Sequence, residues 1–168
     1  RNYEGEIMGE IICLAKKGGI TIESVDPGKL VGYSKNHQGI VAYVSPLLYE
    51  DPERLFALLA KRENSAVCIL DGIADPQNLG TIIRSAVCFG VDAIIVQEKS
   101  AAGISPGTVK ASAGAMEYIS LVRVVNIART METLKENGFW IYGGDVSGEP
   151  LNFVKFEKKA AVVIGAEG

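Results

Sequence analysis

The sequence predicts an α/β protein built on a parallel sheet with helices on both faces, preceded by a smaller α/β unit. Three observations carry that prediction. Short, continuous apolar runs, Ala66 to Leu70, Ala93 to Val96 and Ala161 to Ile164, read as strands buried on both sides. Between them lie segments of helical periodicity, Pro76 to Phe89 and Ile127 to Asn137, long enough to serve as crossover helices. The 168 residues, 48% hydrophobic and 22% charged, suffice to bury a full-sized core without disulfide or metal staples.

The elements follow in chain order. From Tyr3 to Lys17 the apolar residues Ile7, Ile11, Ile12, Leu14 and Ala15 recur at helical spacing, and Gly18-Gly19 supplies the stop. Ile20 to Val25 alternates as a strand does, Asp26-Pro27-Gly28 reads as a turn, and Gly39 to Val44 as a second β-rich segment. These make up a small α/β unit over residues 1–44, with a linker at 45–52 where Ser45-Pro46 and Asp51-Pro52 break the pattern. A larger unit, 53–168, opens with a helix from Glu53 to Ala60. It continues as strand 66–70, helix 76–89, strands 93–96 and 118–122, helix 127–137, and strands 140–142 and 161–164. In such sheets ligands gather at the carboxyl ends of the strands, so the loops after Leu70, Val96, Tyr142 and Ile164 are the ones to read.

Seventeen Lys and Arg against twenty Asp and Glu give a net charge of −3, so any nucleic-acid contact is expected to be local. Lys16, Lys17, Lys29, Lys35, Arg84, Lys99, Lys110 and Arg123 are the candidates, most of them expected to be ordinary solvated charges. Cys13, Cys68 and Cys88 are odd in number, widely spaced and each in an apolar run, so all three are expected to be reduced, buried thiols, as suits a cytoplasmic protein. No His and Cys set has metal-ligand spacing, so no metal is implied, and no membrane span or leader is expected. The chain begins with Arg1 and stops at Gly168 just after a strand, which reads as a fragment.

The segment Asp71-Gly72-Ile73-Ala74-Asp75-Pro76-Gln77-Asn78-Leu79-Gly80-Thr81-Ile82-Ile83-Arg84-Ser85-Ala86 is the most informative. Asp75 is a natural N-cap and Pro76 a natural first helical residue. Leu79, Ile82, Ile83, Ala86 and Val87 make one apolar face, leaving Gly80, Thr81, Arg84, Ser85 and Cys88 on the other. A cation rising from small residues lets a ligand or another subunit approach closely, whereas the bland alternative is an arginine on a solvated helix. Asn78 has its own bland alternative, a bond to a local backbone group.

Asp75-Pro76-x-Asn78-x-Gly80-x-x-x-Arg84-Ser85-Ala86 resembles motif 1 of the SpoU-type (SPOUT superfamily) RNA 2′-O-ribose methyltransferases, and Ile164-Gly165-Ala166-Glu167-Gly168 resembles the start of their motif 2. Lys110 to Ala115 is similar to the family's connecting loop, and His37-Gln38-Gly39-Ile40 to the end of its small RNA-binding domain. His37-Gln38-Gly39 and Val122 to Asn126 most resemble the RlmB-type subfamily, which methylates a guanosine of large-subunit ribosomal RNA. The resemblance implies a trefoil-knotted domain whose knot segment would follow Gly168, and a partial small domain lacking its first strand. It implies S-adenosyl-L-methionine as cofactor, held by Gly144 and Asp145 after one strand, by Gly165, Ala166 and Gly168 after another, and by a third loop beyond the chain. Gly144 stands where relatives often carry Thr.

The same resemblance implies Arg84, Asn78 and Glu167 as catalytic residues, with Glu167 orienting Asn78 or Arg84. Arg84 acts either as a base or, more in keeping with the high pKa of guanidinium, as a cation on the target phosphate. Glu167 has the bland alternative of a surface turn, and His37 that of a turn hydrogen bond. The expected full-length protein is a homodimeric guanosine-2′-O-methyltransferase acting on rRNA, the fragment being inactive. The alternatives are a tRNA ribose methyltransferase, a non-catalytic RNA-binding or assembly module, or an unrelated nucleotide-binding domain without a glycine-rich fingerprint.

Overall fold

A computed structural model describes residues 5–33, 37–99 and 101–166. The chain divides into two compact units, Arg1–Pro46 and Leu47–Gly168.

In the first unit, helix α1 (Glu6–Lys17) ends at Gly18, whose N–H bonds the Leu14 carbonyl, and Gly19 turns the chain with φ +66°. Tyr3, the expected helix start, lies outside the described residues. Asp26 accepts from the Gly28 N–H at 2.8 Å and caps the one-turn helix α2 (Pro27–Leu30), where the sequence suggested a plain turn. Neither expected strand forms: residues 20–26 and 40–46 join no ladder. Alternation of apolar and polar residues prescribes an extended chain, but a strand also needs a partner edge, and none is present among the unit's described residues. His37 Nδ1 accepts from the Gly39 N–H at 2.9 Å, which is the turn hydrogen bond of its bland reading.

The second unit is a five-stranded, all-parallel sheet in the order β3-β2-β1-β5-β4. Its strands are β1 (Ser65–Asp71), β2 (Ala93–Gln97), β3 (Ser120–Val124), β4 (Trp140–Gly143) and β5 (Lys159–Gly165). Helix α3 (Pro52–Ala60) precedes β1, α4 (Pro76–Cys88) and α5 (Pro106–Ser112) flank β2, and α6 (Ile127–Glu136) joins β3 to β4. The period of 2 along the strands feeds two separate cores. Val67, Ile69, Ala93, Ile95, Val122 and Ala161 point to one face and pack with Leu55, Phe56 and Leu59 of α3 and Ile127 and Leu134 of α6. Cys68, Leu70, Ile94, Val96 and Leu121 point to the other, under Leu79, Ile83 and Ala86 of α4. The parallel sheet with helices on both faces is therefore as the sequence predicts.

Two elements differ from expectation. The strand expected at 118–122 begins two residues later, because Ala115–Tyr118 winds into a 3-10 turn that leaves Tyr118 80% exposed. Helix α5 was not foreseen, and Lys110 to Ala115 is its last turn plus two left-handed residues, Ala113 and Gly114, rather than a loop. Its start is set by Ser105, whose hydroxyl accepts from the Thr108 N–H at 3.2 Å. Residues 47–52 belong to this unit's fold: Glu50 bridges Val122, and Asp51 caps α3 by accepting from the Arg54 N–H at 2.8 Å. No helix among the described residues is long and apolar enough to cross a membrane.

Candidate functional site

The strand order reverses between β1 and β5. After β1 the chain fills the sheet toward β3, then crosses to the far edge and returns beside its starting strand. The carboxyl ends of two such neighbours leave a crevice for ligands. A cleft of about 410 Å³ opens there, lined by Gly72, Ile73, Ala74, Asn78, Thr81, Ile82, Ile164, Gly165 and Ala166.

Each wall has a local cause. Gly72 turns the chain off β1 with φ +76°, and a Cβ at that position would lie 3.4 Å from the Ala166 side chain. The Ala166 N–H donates to the Asp71 carbonyl at 2.9 Å, tying the two loops together at the cleft floor. Asp75 then caps α4, accepting from the Gln77 N–H at 2.8 Å, with Pro76 opening the helix as its sequence requires. This cap presents Asn78 in the first turn, exposed and without a side-chain hydrogen bond among the described residues, so its bland role is not seen.

Arg84 stands further along the exposed side of α4, outside the cleft lining, and its guanidinium has no hydrogen bond or ion pair among the described residues. Thr81, Ser85 and Cys88 are exposed beside it. Gly80 is not, which corrects the sequence reading of an open small-residue face. A Cβ on Gly80 would sit 2.5 Å from Ala111 Cβ and 2.7 Å from the Thr108 carbonyl oxygen, so this glycine exists to let α5 lie against α4. The close approach fixes the helix that carries Asn78 and Arg84.

Among the expected cofactor residues, Gly165 and Ala166 line the cleft. Gly144 and Asp145 follow the neighbouring strand β4, with the Gly144 N–H donating to the Val163 carbonyl at 3.4 Å. Added Cβ atoms at Gly143, Gly144 and Gly165 would meet nothing within 4 Å among the described residues, which leave these strand ends open to a ligand. Asp145 is engaged locally: its carboxylate accepts from the Ser147 hydroxyl and N–H, and those two bonds, the hydroxyl's first, hold its pKa below the ordinary value. Glu167 and Gly168 lie outside the described residues. Sequence reasoning placed Thr81 on an approachable face but did not assign Gly72, Ile73, Ala74 and Ile82 to a cleft, although they stand in the loop after Leu70 and in α4; only the packing of that loop and helix beside β5 brings them together.

The family models complete the picture. One, described as the SpoU rRNA Methylase family, matches residues 65–168, and one for RNA 2′-O ribose methyltransferase substrate binding matches residues 2–50. The chain belongs to the SpoU methylase family. A Staphylococcus saprophyticus relative named for the TrmH family of tRNA/rRNA methyltransferases is 38% identical over 168 residues, covering 96% of this chain and 66% of the relative. The SpoU chain thus spans just under two thirds of that relative's length. The SpoU methyltransferase AviRb from Streptomyces viridochromogenes, solved in complex with AdoMet, is 27% identical with TM-score 0.58 over 63% of this chain and 42% of its own. An AdoMet-bound rRNA methyltransferase from Sinorhizobium meliloti shares the fold, at 19% identity and TM-score 0.69, over 93% of this chain and 59% of its own. The relative's name spans tRNA and rRNA, so the family is established at the SpoU/TrmH level rather than at the RlmB-type subfamily.

Proposed function

We propose that the full-length protein methylates a ribose 2′-hydroxyl of structured RNA, using S-adenosyl-L-methionine. The observation that carries this reading is the meeting of two distant sequence motifs at one cleft: Asn78 from the first, Gly165 and Ala166 from the second. The cofactor, when bound, supplies an electrophilic methyl group on a sulfonium. The glycine ends of β4 and β5 fit its adenosine and methionine parts. Gly144, Asp145, Gly165 and Ala166 would offer backbone carbonyls, and Ile82 and Ile164 an apolar wall; the expected contact at Gly168 lies outside the described residues.

The acceptor chemistry falls to α4. A ribose hydroxyl is a weak acid, and catalysis requires placing it opposite the methyl group and stabilising negative charge on its oxygen. Arg84, free of ion pairs among the described residues, binds the phosphate beside the target ribose and lowers the hydroxyl pKa as a fixed cation; guanidinium does not serve as a base. Asn78 holds the ribose by hydrogen bonds, and Glu167 orients Asn78 or Arg84. The first unit, to Pro46, is the substrate-binding domain and the second, from Leu47, the methyltransferase domain, completed in the full-length protein by a knotted segment and acting as a homodimer. The substrate is a guanosine of large-subunit rRNA, a reading that rests on His37-Gln38-Gly39 and Val122 to Asn126.

The test incubates full-length wild type and Arg84→Ala with labelled S-adenosylmethionine and bacterial rRNA or tRNA. Products are mapped by resistance of the modified linkage to alkali. The expected result is one protected rRNA site with wild type and none with Arg84→Ala. A tRNA site would reassign the substrate, and no transfer to either RNA would make the protein a non-catalytic RNA-binding module.

A further inference from the structure

One wall of the cleft is held from behind by a segment that has no regular structure of its own. Residues 101–105 form neither helix nor strand, yet three consecutive backbone groups in them are each tied to a different element. The Ala102 N–H donates to the Ile73 carbonyl at 2.8 Å, and Ile73 lines the cleft. The Gly103 carbonyl accepts from the Thr108 hydroxyl of α5 at 2.9 Å. The Ile104 N–H donates to the Tyr49 phenolic oxygen at 3.2 Å. Of the three anchors, the last is a single side-chain atom reached across 55 residues of sequence.

Tyr49 itself is braced. The adjacent Glu50 N–H donates to the Leu121 carbonyl at 2.8 Å, and the Glu50 carboxylate accepts from the Ser120 hydroxyl at 2.8 Å, so this strip of chain is stitched to β3. The Arg123 guanidinium lies 4.2 Å over the Tyr49 ring, a cation–π contact that fixes the ring plane and so the direction of its hydroxyl. Gly103 passes close to both groups: a Cβ there would lie in ordinary contact with an Arg123 guanidinium nitrogen, at 3.7 Å, and with the Tyr49 oxygen, at 3.9 Å.

We propose that Tyr49 is a positioning residue for the cleft, its phenol fixing the 102–104 segment from which the Ile73 wall hangs. It does not itself line the cleft. It acts through Ile104, Ala102 and Ile73, and Arg123 acts through Tyr49. Because placement errors near an ångström cost reaction rate steeply, losing the anchor should appear in turnover before it appears in folding. The kinetic arm of this proposal rests on the methyl-transfer reading above.

The test is Tyr49→Phe in the full-length protein, which keeps the ring under Arg123 and removes only the acceptor. The first arm needs no reaction: amide hydrogen exchange at Ala102 and Ile104 should speed at least about 10-fold while the amides of β1 keep wild-type protection. The second arm expects kcat to fall about 5- to 10-fold with the KM for S-adenosylmethionine and the thermal midpoint unchanged. Unchanged exchange at Ala102 overturns the proposal, as does wild-type kcat or a rate loss that merely tracks a fall in the midpoint. If wild type transfers no methyl group, the functional reading fails, and the exchange arm alone decides for or against the Tyr49 anchor.

Discussion

Arg84 is the side chain whose environment makes the sharpest demand on chemistry. It is exposed and free of ion pairs among the described residues, so replacing it should leave stability within about 0.5 kcal/mol. Arg84→Lys separates charge from geometry. A fixed cation predicts that Lys retains part of the rate, about 10- to 100-fold below wild type, because the planar fork to phosphate is lost. It also predicts that the variant's pH–rate profile falls more steeply than the wild-type profile near the ordinary lysine pKa of about 10.4. Equal activity in Arg84→Lys and Arg84→Ala would show that charge is not what Arg84 supplies. Cys68 is the opposite case, a thiol whose burial pushes its pKa from 9.0 to about 11. It should resist alkylation at pH 8 in the folded state, while the exposed Cys13 and Cys88 react. The sign for stability follows from linkage: the unfolded chain ionises first, so the contribution is complete below pH 9 and disappears as the pH rises toward about 11. Its upper bound is about 2–3 kcal/mol. Cys68→Ala should flatten the stability curve in that window, and parallel curves would refute the assignment.

At the scale of elements, the α4–α5 contact turns on one missing Cβ. Helix propensity alone favours Gly80→Ala by up to about 1 kcal/mol. The 2.5 Å approach to Ala111 and the backbone atoms behind it reverse the sign, and the variant should lose about 1–3 kcal/mol in thermal or urea unfolding. Adding Ala111→Gly should return only part, since the Thr108 carbonyl remains 2.7 Å away. A stabilised Gly80→Ala would mean that the helices are not in contact there. This contact also shows where reading the sequence stops. The strands and long helices of the second unit are legible because each writes its own periodicity, and Asp75-Pro76 marks the start of α4 in two residues. Gly80 was legible as a motif member but not as a packing surface, because its partner lies in a seven-residue helix, α5, too short to show a period. The strands expected at 20–25 and 39–44 fail for a related reason, since alternation describes one chain and a ladder requires two. At the site, the motifs located Asn78, Gly165 and Ala166 at the cleft, whereas the back wall depends on Ile73 and Ala102, which only tertiary structure brings together.

For the whole molecule, the two units set the expectations. Val44 and Leu48 are each 81% exposed on either side of the boundary at Pro46, in a stretch without helix or strand. Limited proteolysis should cut there first and leave the part beginning near Leu47 folded, since the buried residues among those described all lie in it. Initial cleavage within α4 or α6 would contradict the division. With a net charge of −3, RNA affinity should rest on few phosphate contacts, falling about 0.7–0.9 log units per log unit of salt for each one. The strand order has a consequence in time. β5 is made after the other four strands yet lies between β1 and β4, and β4 has no other neighbour in the sheet. At about 5–20 residues per second, Ser65 waits roughly 5–20 s on the ribosome for its partner Lys159, with one edge of β1 unpaired. Nascent chains arrested before Lys159 should therefore hold β1 to β3 together while β4 stays open to protease, and the cleft would come into being only once β5 and Ala166 have been made.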